Sequence, residues 1–359
     1  MKTYTLGHLR KRIDRFPSIK LISGPTPLYS LERLTEKLGG PEIWIKRDDL
    51  TGLALGGNKS RKLEFIVADA LRKGADTIIT WGALQSNWCL QLAAAARKAG
   101  LRPVLLLFKS YDLPSLYEGN VFLEYLLETQ IEIKESEEKG KSLNQAKAFE
   151  LLEEMADRER AKGYHPYLVS VGGSAPGGQL EQPLGALSYF QAMLEIYEQT
   201  AGRGGPPDWI VIASGSGGTQ AGLLAGVKAL GLKTRVAGIC VSDSKEEFSP
   251  VVKQITLDLV KTLGLDLQID NDDLILFDQY LGAGYGRITA EITGVIRELF
   301  KEEALVLDPV YTAKAMLGLI DLVKHKYFSP AEKILFIHTG GTPALFAFKD
   351  YIMSCLAGC

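Results

Sequence analysis

The sequence predicts an α/β protein with mainly parallel, open sheets that are flanked by helices. Short apolar runs of strand length alternate with amphipathic stretches of helix length through most of the chain, and this alternation is typical of parallel sheets with helices on both faces. Glycines stand where several of the helices should end. A chain of 359 residues is also too long for one small core, and it fits two domains or one large α/β unit.

The predicted elements follow one another along most of the chain. Strands are predicted at 77–81, 103–108, 131–134, 167–171, 209–213, 235–241, 273–277 and 333–338. Helices are predicted at 60–73, 87–99, 143–162, 183–200, 218–230, 246–263, 288–302, 312–326 and 343–355. Gly74, Gly100, Gly163 and Gly264 are the glycines at helix ends. Ligands of parallel sheets bind at the carboxyl ends of the strands, so the residues that follow each strand are the candidates for a site.

Composition narrows the class of ligand. The net charge is −2 and no basic patch stands out, so a small molecule is favoured and a nucleic-acid partner is not expected. The four cysteines form no CxxC pair and the four histidines are far apart in sequence, so no metal site is predicted. The chain has no apolar run of transmembrane length and its polar start is not a secretory signal. We therefore expect no membrane association and a reduced, cytoplasmic compartment.

A glycine-rich turn leads into the first predicted helix after residue 55. Gly56 and Gly57 let the backbone turn tightly and approach a ligand, and Lys59 then falls at the mouth of the helix. The helix dipole opposes positive charge at that place and lowers the pKa of a lysine, as a Schiff-base lysine requires. Taken alone, Lys59 would more often be a solvated surface lysine, because lysines are rarely fully buried.

A second glycine-rich turn follows the strand at 209–213. A strand, such a turn and a helix start make a cradle of backbone N–H groups for a phosphate. It is not a Walker A loop, and Gln220 stands where a dinucleotide-binding loop has its third glycine. A monophosphate is therefore favoured over NAD, and a purely structural turn is the alternative. The residues of this cradle are Gly215, Ser216, Gly217, Gly218 and Thr219.

Polar residues follow three other predicted elements. Ser86 and Asn87 lie at the exit of the 77–81 strand, where they could cap the next helix, bind a ligand, or do both. Tyr285 and Tyr311 lie on turns and could act as acids or bases, although most tyrosines pack the ring and tie up the hydroxyl. The turn 338–341 follows the last strand at the same edge of the sheet.

These motifs together resemble one family, the D-cysteine desulfhydrase and 1-aminocyclopropane-1-carboxylate (ACC) deaminase group of pyridoxal 5'-phosphate (PLP) enzymes. Gly-Gly-Asn-Lys-Ser-Arg-Lys-Leu-Glu, Gln-Ser-Asn, Gly-Tyr-Gly, Asp-Pro-Val-Tyr-Thr and His-Thr-Gly-Gly occur in the family's order, from about residue 26 to 348. The resemblance implies the two-domain PLP fold type II, as in the tryptophan synthase β chain, and a homodimer. It implies a large PLP-binding domain of 1–61 plus 172–359 and a smaller inserted α/β domain of 62–171.

The resemblance also implies roles for single residues. Lys59 would carry the cofactor and accept the α-proton, with Ser86 sharing the proton transfers. Asn87 would contact the ring or the substrate, and Tyr285 and Tyr311 match the family's two active-site tyrosines. The catalytic set would be Lys59, Ser86, Tyr285 and Tyr311. The cofactor-binding set would be Lys59, Asn58, Lys62, Asn87, the cradle 215–219 and Thr312.

Two positions bear on the substrate. ACC deaminases resemble this segment but carry glutamate at the position of Thr312, and a threonine can only hydrogen-bond a largely neutral pyridine nitrogen. Ring opening needs the stronger electron sink, so Thr312 resembles the desulfhydrase branch. Trp88 departs from the family, which usually has histidine where the substrate carboxylate binds, and an indole offers one donor and no charge. Ser86, Asn87, Trp88 and Tyr285 are the expected substrate contacts.

The expected reaction is therefore the α,β-elimination of a small amino acid of the D-cysteine type, which gives pyruvate, ammonia and sulfide. The open alternatives are a PLP lyase that acts on L-cysteate or another β-substituted amino acid, an ACC deaminase, and a PLP-binding protein without turnover.

Overall fold

A computed structural model describes residues 2–111, 115–136, 145–282 and 284–357, and within them the strands form two sheets. The larger sheet has the strand order β1-β2-β10-β7-β8-β9 and the smaller has the order β5-β4-β3-β6. All neighbouring strands are parallel except β1 and β2, which are antiparallel. The strands are β1 Leu28–Ser30, β2 Glu42–Lys46, β3 Thr77–Ala83, β4 Arg102–Lys109, β5 Gln130–Glu135, β6 Pro166–Leu168, β7 Trp209–Ser214, β8 Arg235–Cys240, β9 Ile275–Phe277 and β10 Lys333–Ile337.

Helices flank both sheets, which confirms the predicted α/β fold class. They are α1 Leu6–Ile13, α2 Glu32–Leu38, α3 Asn58–Arg72, α4 Asn87–Lys98, α5 Gly119–Leu126, α6 Gln145–Arg160, α7 Leu184–Ala201, α8 Gly218–Leu230, α9 Lys245–Leu263, α10 Ala290–Glu303, α11 Thr312–Lys324, α12 Thr342–Ala347 and α13 Lys349–Ala357. No helix in the described ranges has both the length and the apolar character needed to span a bilayer.

Each predicted strand is present, and the differences lie in elements that the periodicity did not reveal. The strands β1 and β2 and the helices α1, α2 and α5 were not predicted. The predicted helix 343–355 is wrong as one element, because the backbone breaks at Phe348 between α12 and α13. The first two residues of the predicted helix 143–162 lie outside the described residues.

Strand burial explains why the apolar runs were the clearest indication of the sheets. In β4 the four residues from Val104 to Leu107 are fully buried, because helices cover the sheet on both faces.

Local caps define several helix ends. Helix α9 begins with a capping box between Ser244 and Glu247 and ends at Gly264, whose φ is 61°.

The two sheets come from different parts of the chain. The four strands of the smaller sheet all lie between residues 77 and 168, inside the segment 62–171 that is predicted as the inserted domain. The boundary predicted after residue 61 falls within α3, which packs against both α4 and α7. The division into domains stays a prediction.

Candidate active site

One cavity of about 250 Å³ lies at the carboxyl ends of the strands. Residues that follow β3, β6, β7, β8 and β10 line it, which is the edge where parallel sheets bind ligands. Among its described lining residues, Lys59 is the only charged side chain and none is acidic. The cavity therefore offers one amine, hydroxyls, amides and an apolar wall.

Lys59 reaches the cavity from the first turn of α3. The two preceding glycines have φ of 77° and 137°, in the region that favours glycine. A Cβ on Gly56 would lie 1.8 Å from the carbonyl oxygen of Asp49, so no other residue fits there without rebuilding the turn. Burial lowers the pKa of Lys59 to about 8. The amine is therefore partly unprotonated near neutral pH, as a Schiff-base lysine requires.

The glycine turn is tied to two other segments. The hydroxyl of Thr51 accepts the N–H of Gly57 at 2.8 Å and donates to its carbonyl at 3.0 Å. The N–H of Asn58 donates to the carbonyl of Thr339 at 3.0 Å, so the turn at Lys59 is fixed to the turn after β10. The side chain of Asn58 also donates to the hydroxyl of Thr219 at 3.2 Å.

The predicted phosphate cradle forms the start of α8. Gly215, Ser216, Gly217 and Thr219 line the cavity, whereas Gly218 does not. A Cβ on Gly218 would lie 2.6 Å from the Ser174 hydroxyl oxygen, so this glycine permits close packing. The result is a helix N-terminus with unhindered N–H groups, which fits a phosphate monoester.

Lys62 lies one turn after Lys59 and is fully buried, but it does not line the cavity. Its Nζ has no hydrogen-bond partner among the described residues, and it lies 6.0 Å from the centre of the Tyr189 ring. Burial, and then the charge of Lys59, lower the pKa of Lys62 well below its usual range. A buried amine without a partner is costly, and a phosphate nearby would offset that cost.

Ser86 and Asn87 begin α4, directly after β3. Ser86 is the N-cap, and its hydroxyl oxygen accepts the N–H of Cys89 at 3.3 Å. That bond uses a lone pair of the oxygen, so the hydroxyl can still donate its own proton, and the thiol of Cys89 is one acceptor within its reach. Asn87 lies at the cavity wall, with its side-chain oxygen accepting from Asn120 at 2.9 Å.

Trp88 contributes a surface to the cavity and no donor. Its indole is 2% exposed and the N–H donates to the hydroxyl of Thr80 at 2.8 Å. The indole N–H, which we expected to contact a substrate, thus forms its hydrogen bond inside the core. Trp88 therefore forms part of the pocket wall, while its N–H is bonded to Thr80.

Tyr285 and Tyr311 meet at the cavity, where their hydroxyl oxygens are 2.5 Å apart. Burial raises the pKa of Tyr285 well above its usual range, and it raises the pKa of Tyr311 as well. Both hydroxyls therefore stay protonated at neutral pH. Tyr111 packs its ring against Tyr285, and a Cβ on Gly286 would lie 2.4 Å from that ring, so this contact holds the glycine-flanked turn in place.

Thr312 does not line the cavity, although the resemblance implied that it contacts the pyridine nitrogen. Its hydroxyl donates to Oδ1 of Asp308 at 2.7 Å and accepts the N–H of Asp308 at 2.7 Å. Asp308 also accepts the N–H groups of Val310 and Tyr311, each at 3.0 Å, so it caps the start of α11.

Thr339 lines the cavity and was missed as a site residue. Its hydroxyl has no hydrogen-bond partner among the described residues, in contrast to that of Thr312. The sequence indicated only that its turn follows the last strand, and the strand order brings that turn beside Lys59.

Comparisons with known proteins agree with the geometry. A family model described as pyridoxal-phosphate dependent enzyme matches residues 19–340. The chain is 44% identical to a D-cysteine desulfhydrase of Klebsiella pneumoniae (strain 342) over 345 residues, which are 95% of this chain and 99% of the relative. It superposes on the crystal structure of an ACC deaminase homologue with a TM-score of 0.85 and 35% identity, covering 97% of this chain and 99% of the other.

A more distant structure shares the fold alone. The processed form of threonine deaminase isoform 2 from Solanum lycopersicum superposes with a TM-score of 0.64 and 16% identity, covering 100% of this chain and 91% of the other. Together with the family match, these likenesses confirm the predicted PLP fold type II. The chain belongs to the family of pyridoxal-phosphate-dependent enzymes, and PLP is its cofactor.

Proposed function

We propose that the enzyme is a carbon–sulfur lyase that catalyses α,β-elimination from a small amino acid of the D-cysteine type. The amino acid loses its α-proton and its β-thiol group, and the remaining enamine is hydrolysed. Cysteine and water thus give pyruvate, ammonia and hydrogen sulfide, with all atoms balanced. The observation that carries this proposal is the 44% identity to a D-cysteine desulfhydrase along nearly the full length of both chains.

The cavity supports elimination through its lack of acidic groups. PLP supplies an electron sink for the carbanion at the substrate α-carbon. With no carboxylate among the described lining residues, nothing there would keep the pyridine nitrogen protonated. A neutral nitrogen makes a weaker sink, which suffices to expel a good leaving group such as a thiol.

The proposed proton transfers use groups that the structure leaves available. Lys59, with a pKa of about 8, can accept and return a proton near neutral pH. Ser86 keeps its hydroxyl proton because its oxygen caps α4 as an acceptor. In the Tyr285–Tyr311 pair one hydroxyl donates to the other, so the second proton remains free to protonate the departing sulfur.

The cofactor would be held at its phosphate and at its ring. We assign the phosphate to residues 215–219 and Lys62, with Asn58 supporting the cradle through Thr219. Asn87 would contact the ring or the substrate. The hydroxyl of Thr339, a buried residue that lines the cavity, would replace that of Thr312 as the group available to the pyridine nitrogen.

ACC deamination is the second candidate, because the chain also matches an ACC deaminase homologue. The cavity disfavours it, since opening a cyclopropane needs the stronger sink that an acidic partner of the nitrogen would provide. The lack of an acidic side chain among the described lining residues does not disfavour L-cysteate or other β-substituted amino acids. They stay open as alternative substrates, because they too carry good leaving groups.

The test is keto-acid release from a panel of D-cysteine, L-cysteine, β-chloro-D-alanine and ACC. We expect pyruvate and sulfide from D-cysteine and negligible product from ACC. If ACC is the best substrate, the argument from the cavity is wrong. If no member of the panel turns over although PLP is bound, the protein binds the cofactor without this activity.

We further propose a homodimer that works in the cytoplasm. Large apolar side chains are exposed on α5 and on the neighbouring helices α12 and α13, including Phe122 at 48%, Leu126 at 65%, Phe346 at 60% and Met353 at 60%. Exposed apolar surface of this kind is typical of an interface. Light scattering should give twice the chain mass.

The cytoplasmic location is supported by the free thiols of Cys89 and Cys240, which are typical of a reducing compartment. Cell fractionation tests the compartment.

A further inference from the structure

Asn120 is a buried residue of α5 that does not line the cavity but contacts Gln85 and Asn87, of which Asn87 does line it. It is fully buried, and it is separated from Asn87 by 33 positions in the chain. Three hydrogen bonds join Asn120 to Gln85 and Asn87, and they fix the orientation of each amide in turn.

Gln85 is oriented by main-chain groups, whose roles are unambiguous. Its Oε1 accepts the main-chain N–H of Asn120 at 2.7 Å. Its Nε2 donates to the main-chain carbonyl of Glu118 at 2.9 Å. Because an N–H can only donate and a carbonyl can only accept, the amide of Gln85 has one possible orientation. Gln85 therefore fastens the start of α5 to the turn after β3.

The amide of Asn120 is fixed by the same reasoning. Its Nδ2 donates to the main-chain carbonyl of Gln85 at 2.9 Å, so the nitrogen must lie on that side. The same nitrogen lies 2.9 Å from the side-chain oxygen of Asn87 and uses its second hydrogen there. Asn120 thus faces Asn87 as a donor, and Asn87 must face Asn120 with its oxygen.

The nitrogen of Asn87 consequently points away from Asn120. A Cβ built on Gly341 would lie 2.5 Å from the Nδ2 of Asn87, so this nitrogen lies beside the turn after β10. Asn87 lines the cavity, so the group that it can offer to a bound molecule is an N–H donor. An isolated asparagine could present either end, because the two ends of the amide are similar in shape.

We propose that Asn120 is a positioning residue that fixes Asn87 as a hydrogen-bond donor toward an acceptor atom of the cofactor. The inference rests on the proposed function, in that Asn87 is taken as a cofactor contact. Asn120 acts through Asn87, since it does not itself line the cavity. The cofactor atom that accepts from the side-chain nitrogen of Asn87 must be an oxygen or nitrogen with a free lone pair.

The experiment is a double-mutant cycle that reads PLP binding and needs no substrate. PLP affinity and the visible absorption of the bound cofactor are measured for the parent, Asn120→Leu, Asn87→Ala and the double variant. We expect Asn120→Leu to weaken PLP binding by about threefold to tenfold, the size of one hydrogen bond, and to shift the absorption band. In the Asn87→Ala background, Asn120→Leu should cause no further change.

Asn120→Asp serves as the second variant and should have the larger effect, because a carboxylate accepts and would turn the nitrogen of Asn87 away from the cavity. It also replaces Asn120→Leu in the cycle if that variant does not fold. Lys349→Met is the matched control. It removes the 2.6 Å ion pair between Lys349 and Glu118, which also fastens the start of α5, without touching the amides. It should leave PLP affinity and the spectrum unchanged.

Two results would overturn the inference in distinguishable ways. If Asn87→Ala alters PLP binding while both Asn120 variants leave it unchanged, Asn120 does not act on Asn87. If Asn87→Ala has no effect, the proposed cofactor contact is itself wrong, and the inference fails with it. Additive effects in the double variant, or an equal effect of Lys349→Met, would show that Asn120 merely supports the local structure.

Discussion

Lys59 and Lys62 are three residues apart and differ in what surrounds them. Lys59 opens into the cavity, whereas Lys62 is fully buried and its amine has no partner among the described residues. Burial lowers the pKa of both amines. The sequence indicated that a lysine begins this helix, but it could not show that a second lysine one turn later is held without a partner.

Lys62→Met should change stability and cofactor binding in opposite directions. Removing a buried amine without a partner should raise the melting temperature of the apoprotein, because the desolvation cost disappears. It should weaken PLP binding by about tenfold or more, the size of one hydrogen bond to a charged group. Thermal melts of the apoprotein and titration with PLP measure the two effects.

Lys98→Met is the control, since Lys98 is exposed at the end of α4, and it should change neither quantity. PLP affinity equal to that of the parent in Lys62→Met would show that this lysine is not part of the phosphate site.

Single residues also show where reasoning from the sequence ends. The motifs identified the segments that line the cavity, yet Thr312 and Trp88 turn their polar atoms into the core. Hydrogen bonds to Asp308 and Thr80 decide these orientations, and such partners cannot be read from one motif. Thr339 was missed because its role depends on the position of β10 in the sheet.

At the scale of elements, the strands with continuous apolar runs were predicted and the less regular ones were not. Strand β2 ends in Lys46, which is fully buried because its amine pairs with Glu195 and donates to the carbonyl of Thr26. A lysine in an apolar run normally indicates an exposed position, so the sequence pattern did not predict β2 as a buried strand. Helix α5 has only eight residues, which is too short for a clear period.

Helix α5 carries a buried carboxyl group, that of Glu124, as well as Asn120. Glu124 is fully buried, and neither carboxylate oxygen has a partner among the described residues. Burial raises its pKa well above the usual range. Below the unfolded-state pKa, about 4.5, the group is neutral in both states. As pH rises above this value, Glu124 ionises in the unfolded chain but keeps its proton in the folded protein. The free energy of unfolding therefore falls until the pH reaches the raised pKa of the folded state.

Glu124→Leu should therefore stabilise the protein, and by more at pH 8 than at pH 5. At pH 8 the gain should be at least about 1–3 kcal/mol, the cost of a buried polar group without a partner. Melting temperatures or denaturant titrations at the two pH values measure the difference. Glu128→Gln is the control, since Glu128 is exposed just after the end of the same helix, and its effect on stability should not grow with pH. A gain for Glu124→Leu that does not grow with pH would mean that Glu124 is not held protonated.

At the scale of the molecule, the site exists because strand ends from both sheets reach one cavity. The order of the motifs predicted the family and the fold, since these follow from patterns along the chain. The sequence alone could not show which side chains finally face the cavity. That depends on how the turn after β10 meets the turn at Lys59, a contact made at Gly57 and Gly340.

The central claim is that Lys59 carries the cofactor. Lys314 is the most informative competitor, because burial also lowers its pKa to about 8. The Nζ of Lys314, however, donates to the carbonyls of Leu281 and Gly284, both at 2.8 Å, and it does not line the cavity. Perturbed pKa alone would not separate the two lysines, whereas access to the cavity does.

Borohydride reduction of the PLP-loaded protein, followed by peptide mass spectrometry, tests this claim most directly. We predict one pyridoxyl adduct, on Lys59, and none in the Lys59→Ala variant. An adduct on Lys62, Lys314 or any other lysine of the parent protein would contradict the account.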